Sequence, residues 1–535
     1  MKTEFDFIVV GAGSAGCVLA NRLSANGQYE VLLIEAGKAD KSLAIHVPAM
    51  LGEEISSTRN NWFYWTEPQK HLNNRKLFWP RGKVLGGSSS LNGMVYIRGH
   101  ARDYDEWAQL GCKGWSFSDV LPYFKKSESF EEGADSYHGG DGPLNVGPRT
   151  SDNPLNDAFL ASGLEAGFKE SADFNGADQE GFAPFQQTIK EGRRWSTAAA
   201  FLKPVMDRAN LTVLTGALTR RVVIEKGKAV GVEVDHKKKT LLFTARRETV
   251  LCGGAINSPQ LLMLSGIGDE KDLRGHGIAV NKHLPAVGKN MQDHLDTTVT
   301  AYCKQPITMK RYKNPYHALT GLWKWFRKKP GFMSDIIVPT GAFLKSDAAL
   351  ERPDIQFHMI MAIADEPHGF AYPKHHGFGI HSCVLRPRST GTISLKSSDP
   401  HDHALIDPNY LADPYDLEIA RAGARMSAKV LTQPAFSPFF ERFEEHWEGI
   451  LDMSDDMLND VIRAKSETIY HPTSTCTMGA ADHPMSVVDP SLKVIGIENL
   501  RVADASVMPR LIGGNTNAPT IMIGEKCADM MLDGT

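Results

Sequence analysis

Apolar and polar positions change period several times along the chain, and each change marks an element. FDFIVV (5–10) is an apolar run of strand length interrupted only by Asp6. After a glycine turn, the apolar residues of SAGCVLANRLS recur at helical spacing, which predicts a buried strand Phe5–Val10 and a helix from about Ser14 to Ser24. EVLLIEAG (30–37) predicts a second strand ending at Glu35. Residues 211–268 read as short alternating strands around a Lys-Gly turn, then a buried strand TVLCGGA (249–255) leading into a helix at about Ser258. The stretch 296–440 has a different character: IQFHMIMAI (355–363), GFGIHSCVL (377–385) and GTISLKS (391–397) are candidate antiparallel strands with helical segments between them. Near the end, NTNAPTIMIGEKCADMML predicts a helix with Asn517 as N-cap, Pro519 in the first turn and Ile521, Met522, Ile523, Cys527 and Met530 facing inward.

This order predicts a mixed α/β (α+β) protein: a Rossmann-like nucleotide-binding unit interrupted by an antiparallel sheet with helices. The expected boundaries are 1–150, 211–295 and 460–535 for the first unit, and 151–210 with 296–459 for the inserted, substrate-binding one. At 535 residues the chain is long enough for two or more units, and two are expected, since single cores usually stop growing near roughly 250–300 residues.

Composition removes several classes of function. A net charge of −4 leaves no excess of positive charge to neutralise phosphates, so nucleic acid is not an expected partner. The seven cysteines are scattered without a C-x-x-C pair, which argues against a disulfide framework or a zinc ribbon and for a reducing, cytoplasmic compartment. The run IVVGAGSAGCVLA lacks the positive flank of a signal peptide, with Glu4 and Asp6 in its place, and no stretch reaches 18 consecutive apolar residues.

The first turn carries chemistry. Gly11, Gly13 and Gly16 match G-x-G-x-x-G: a tight turn, a backbone able to approach a pyrophosphate, and close packing of helix on strand, with unpaired N–H groups at the helix start. Glu35 follows 19 residues after Gly16, where a carboxylate takes both hydroxyls of an adenosine ribose. These residues predict a dinucleotide and leave FAD against NAD open. In TIYHPTSTCTMG (468–479), His471 reads as a working base or as a histidine held in an irregular loop. One imidazole and one thiol are two ligands short of a closed zinc site, so no metal is expected there, and Cys476 reads as a small packing residue. The adjacent His375 and His376, with His381, point opposite ways on a strand and carry no metal expectation either.

WPRGKVLGGSSSLNGMVYIRG (79–99), together with GAGSAG, GAINSPQLLMLSGIG, GKNMQDH, IDPNYL, YHPTSTC and VADASVMPRLIGGNTNAPTIMIGEKCAD, resembles the glucose-methanol-choline flavin oxidoreductases, closest to bacterial choline and aliphatic-alcohol dehydrogenases. These motifs span residues 8–529. The resemblance implies FAD and oxidation of a primary alcohol to the aldehyde, with electrons passed to a quinone or other acceptor. His471, in an H-P-x-x-T-C setting, is the implied base, and Asn515 the implied anchor for the substrate oxygen. Gly86, Ser90 and Asn92 are carried over as flavin-loop contacts. The remaining implied FAD contacts are Gly11, Gly13, Ser14, Ala15, Gly16, Glu35, Ala36, Arg81, Gly82, Gly87, Gly93, Val95, Val222, Cys252, Gly253, Asp504, Ala505 and Thr516, besides Asn515 itself. Some relatives bond the flavin covalently through a histidine where this chain has Leu91, so the FAD is expected to be non-covalent. The C-terminal helix is expected to point its positive end at the flavin pyrimidine edge.

The alcohol itself is not legible. Trp323, Phe357, Met359, Phe370 and Tyr372 suit an aliphatic or benzylic alcohol, and no carboxylate patch for a quaternary ammonium is evident. An oxygen-using oxidase of the same family, or a lyase that holds FAD without reducing it, are the alternatives. RYKNPYHALTGLWKWFRKKPG (311–331) combines apolar residues at helical spacing with a basic rim; it suits a peripheral helix at the inner membrane face near a quinone, and equally a surface helix over the core.

Overall fold

A computed structural model describes residues 2–329, 331–363 and 375–534 of the chain. The glycine turn joins Glu4–Val10 to the helix Ser14–Leu23, and the fully buried strand Val31–Glu35 follows. Strand order in the first sheet is Leu211–Thr215, Val31–Glu35, Glu4–Val10, Lys239–Leu251, Lys228–His236, Ala217–Glu225. The first four run parallel, Leu500–Val502 lies parallel beside Lys239–Leu251, and the last two form an antiparallel extension. Parallel strands covered on both faces explain the near-continuous apolar runs of the sequence.

A second, wholly antiparallel sheet has the order Phe440–Phe443, Leu295–Cys303, Gly377–Val384, Ile355–Ile360, Thr340–Leu344, Gly181–Pro184, with Glu467–Thr468 also paired to Leu295–Cys303. The chain is thus a mixed α/β protein with a Rossmann-like sheet and a second antiparallel sheet. Among the described residues GTISLKS does not join that sheet: Thr392–Ser394 pairs with Leu405–Asp407.

Two helix starts differ from the expected positions. The helix expected at Ser258 runs Gly254–Leu264, because the Asp504 carboxylate, distant in sequence, accepts the Gly254 N–H at 2.8 Å and the Ser258 hydroxyl at 2.6 Å. The C-terminal helix is Asn517–Asp533, one residue earlier than a cap at Asn517 implies. The Asn517 side chain instead accepts a hydrogen bond from Ser14 Oγ at 2.7 Å, tying the starts of the first and last helices together. A Cβ on Gly524 would meet Ala15 Cα at 3.0 Å, and Arg22 closes a bidentate pair with buried Glu525 at 2.6 and 2.8 Å. Two helix N-termini are thereby held side by side.

Among the described residues no helix is long and apolar enough to cross a membrane. All seven cysteines are buried and unpaired, and no group of three or more described His, Cys, Asp or Glu residues is arranged to hold a metal ion. Phe357 and Met359 are fully buried core residues, Trp323 lies on the surface, and Phe370 and Tyr372 fall outside the described residues.

Candidate active site

A cavity of about 800 Å³ runs from the first glycine turn, past the meeting point of the two helix N-termini, to the second sheet. One end is lined by Gly11, Gly13, Ser14, Ala15, Glu35 and Ala36, with Ala217–Thr219, Cys252 and Gly253; the other by His471, Asn515, His358, Asp296 and His381. Between them lie Arg81, Gly82, Lys83, Gly87, Ser88, Leu91, Asn92, Gly93, Val95, Asp504, Ala505 and Thr516.

Most residues expected at the cofactor therefore share one wall, and four do not. Gly16 packs away from the cavity, since a Cβ there would sit 1.9 Å from the Gly11 carbonyl oxygen. Gly86 and Ser90 shape the loop from behind: Gly86 has φ +89°, its N–H donates to the Ala12 carbonyl at 2.7 Å, and the buried Ser90 hydroxyl donates to the Leu85 carbonyl at 2.8 Å. Val222 is buried in Ala217–Glu225 beyond the end that reaches the cavity, where Ala217, Leu218 and Thr219 stand instead.

The residues present fit a flavin dinucleotide. At Gly13 a Cβ would meet no protein atom closer than 3.8 Å, so the absent side chain leaves space on the cavity side, beside N–H groups that open the first helix. Glu35 is held by the N–H groups of Ala12 at 2.9 Å and Gly37 at 2.7 Å; burial pushes its carboxyl up to about 7 against the pull of those bonds and of Lys83. Leu91 offers no atom able to bond the cofactor covalently.

At the far end a strand pairing across the chain builds the chemistry. Leu295 pairs with Thr468 and Asp296 with Glu467, while Gln292 bridges Thr473, so the QDH segment lies alongside TIYHP. The His471 loop is conformationally costly, with Tyr470 at φ +70° and Ser474 at φ +73°. It is pinned from outside: Asp293 Oδ1 accepts the His471 N–H at 2.7 Å, Asp293 Oδ2 accepts the hydroxyls of Thr468 and Tyr410, and Arg81 donates to the Tyr470 carbonyl at 2.6 Å. Burial raises the Asp293 carboxyl to about 6.

Hydrogen-bond logic fixes the tautomer of His471. His294 Nε2 lies 3.1 Å from the Leu385 carbonyl, which only accepts, so that nitrogen carries the proton. Burial pushes the His294 pKa down to about 3, so the ring is neutral and its Nδ1 holds a lone pair. His471 Nδ1, 3.0 Å away, must then donate. Its Nε2 is left as an unprotonated acceptor on the cavity, where Asn515 Nδ2 donates to it at 3.2 Å. Asn515 is oriented to match, because its Oδ1 accepts from Gln356 Nε2 at 3.1 Å and its N–H group is turned toward His471. Burial, and the neighbouring His294, His358 and Arg81, hold the His471 pKa well below the usual 6.5. The arrangement is a neutral base beside a fixed amide donor.

Sequence reasoning missed His294, Asp293 and Gln356, although MQDH was visible as a motif. The only local signal is a pair of titratable residues opening an apolar strand. It also missed the carboxylates Asp296, Glu444 and Glu467 on the cavity wall. Each has a partner: Asp296 pairs with His381, Glu467 with Arg75, and Glu444 accepts from Thr300 at 2.5 Å.

Family models for GMC oxidoreductases match residues 5–296 and 387–524. The chain is 46% identical over 533 residues to an alcohol dehydrogenase [acceptor] of Pseudomonas putida, covering 99% of this chain and 96% of that one. It is 44% identical over 537 residues to the mitochondrial choline dehydrogenase of Mus musculus, covering 99% and 90%. Among solved structures it superposes on pyridoxine 4-oxidase from Mesorbium loti with TM-score 0.89 and 31% identity, covering 99% of both chains. A formate oxidase gives TM-score 0.92 at 27% identity, covering 99% and 98%.

Proposed function

The chain belongs to the GMC oxidoreductases, FAD-dependent enzymes acting on CH–OH donors, and from that premise we propose that it oxidises a primary alcohol to the aldehyde and passes the electrons to a quinone or other acceptor. Bound FAD supplies the two-electron acceptor for the hydrogen that leaves the alcohol carbon. The chain's own residues handle the proton. The alcohol carbon is a poor hydride donor until its oxygen sheds a proton, and His471 Nε2 takes that proton, a role that contributes typically 10²–10⁴-fold. Asn515 Nδ2 donates to the oxygen as negative charge builds there, without competing for the proton. His294 holds the imidazole in the tautomer that presents a lone pair, and Asp293 holds the loop. The turn at Gly11 and Gly13, Glu35 and the flavin loop around Gly87 would hold the cofactor.

The observation that carries this reading is the unprotonated His471 Nε2 on the cavity wall, accepting from the Asn515 amide at 3.2 Å. An anaerobic stopped-flow screen of aliphatic, aromatic, polyol and amino alcohols tests it. Bleaching of the yellow flavin by a primary alcohol supports it; failure of every alcohol to bleach favours a non-redox lyase or a flavin-binding module. An oxygen electrode beside a dye-reduction assay separates dehydrogenase from oxidase.

A second substrate reading has its own support. Asp296, Glu444 and Glu467 on the cavity wall suit a quaternary ammonium, and relatives at 44% identity are named choline dehydrogenases. Against it, His381 already pairs with Asp296. Choline outpacing the unbranched alcohols in the same screen would decide for it.

His294 acts through His471, and its replacement has a distinct signature. His294→Ala is expected to slow flavin reduction about 10–100-fold. It removes the acceptor that fixes the His471 tautomer and admits water beside the ring; relief of burial, the largest cause of the depressed His471 pKa, raises that pKa and moves the acid limb of the rate profile to higher pH. A purely structural role would lower the rate without moving the limb.

A further inference from the structure

The helix Pro315–Phe326 is anchored by one face and presents another apolar face to solvent. On the inner side Trp325 is 3% exposed, donates its indole N–H to the Gly192 carbonyl at 2.7 Å, and packs with Val47 and Met333. On the outer side Tyr316, Leu319, Trp323 and Phe326 form a single stripe at helical spacing, with exposures of 70, 67, 54 and 62%. They include the three most exposed large hydrophobic side chains among the described residues; the others are scattered singly. An exposed apolar stripe of this kind marks an interaction surface.

Charge says what covers it. Lys310, Arg311 and Lys313 precede the helix, and Lys324, Arg327, Lys328 and Lys329 close it. No Asp or Glu occurs between Asp296 and Asp335, in a chain whose net charge is −4. Arg327 and Lys329 both stand 5.6 Å from the Trp323 ring, apolar stem and charged head arranged as at a water–lipid boundary. We propose that this helix docks the protein on an anionic bilayer surface, lying in the interface with the stripe inserted and the basic residues on the headgroups.

Its position gives the docking a consequence. The inner face packs on Met50 and Phe332, and the segments that continue from these residues supply Leu51, Ile55, Ile337 and Val338, the apolar wall of the cavity. Docking sets that wall beside the bilayer, so the electron acceptor, or the alcohol, is of a class that partitions into lipid. The acceptor's class rests on the function proposed above; the docking does not.

Cosedimentation of the holoenzyme with phosphatidylcholine vesicles, with and without phosphatidylglycerol, tests the proposal at low salt. Sedimentation with the anionic vesicles, released by salt and reduced at least about tenfold by Leu319→Glu with Trp323→Glu, is the expected result. Anaerobic flavin bleaching by alcohol, unchanged in that double variant, shows that it is folded and reports the chemistry separately. Absence of wild-type binding to anionic vesicles, or binding that survives in the double variant, overturns the proposal. Retention on immobilised polyglutamate without vesicle binding overturns it in favour of an acidic protein partner.

Discussion

His471→Ala is expected to leave FAD bound and to slow anaerobic flavin reduction by at least about 10²-fold, because it deletes the unprotonated imidazole nitrogen that stands 3.2 Å from the Asn515 amide. Cofactor absorbance before and after gel filtration checks the first half and stopped-flow the second; a loss below threefold would reject the assignment. The pH dependence follows from the sign of the shift. The working form is neutral, and burial with the surrounding His294, His358 and Arg81 depresses the pKa well below 6.5. Wild-type reduction should therefore hold its rate as pH falls from 8 through 6.5 and decline only below that, whereas an unshifted histidine loses half its base near pH 6.5.

Asn515→Ala carries the second large effect. Removing a fixed donor aimed at developing negative charge costs about 10²–10³ in rate. It also leaves Gln356 Nε2 without the acceptor it now uses at 3.1 Å. Asn515→Asp separates charge from geometry. A carboxylate near 3.2 Å from His471 Nε2 stabilises the imidazolium, raises its pKa and protonates the base at neutral pH. Activity should then fall most at low pH and recover in part as pH rises, while the alanine variant stays slow throughout. Identical pH profiles for the two variants would remove Asn515 from the proton chemistry.

What could be read from the chain divides along the range of the interactions involved. The turn at Gly11, the helix after it and Glu35 follow from neighbours a few residues apart, and periodicity alone placed them within a residue or two. The helix at Gly254 began earlier than local signals implied because its stabilising carboxylate, Asp504, comes from the other end of the chain. Asn517 looked like a cap because nothing local says that Ser14 occupies its side-chain oxygen. His471 and Asn515 were legible only through family resemblance; their own stretches read as irregular loops. His294 stands in the GKNMQDH motif, yet the resemblance assigned it no role. Its role depends on the pairing of Leu295 with Thr468, a contact across more than a hundred residues that no window of sequence contains.

The claim beneath all of this is that one alcohol oxygen is shared between His471 Nε2 and Asn515 Nδ2. Its most direct test is a crystal structure of the FAD-loaded protein with a non-reactive alcohol bound. The expected result is the hydroxyl oxygen within hydrogen-bonding distance of both nitrogens, with the His294–His471 contact intact. An oxygen held elsewhere in the cavity, or His471 turned so that Nδ1 faces the ligand, would contradict it.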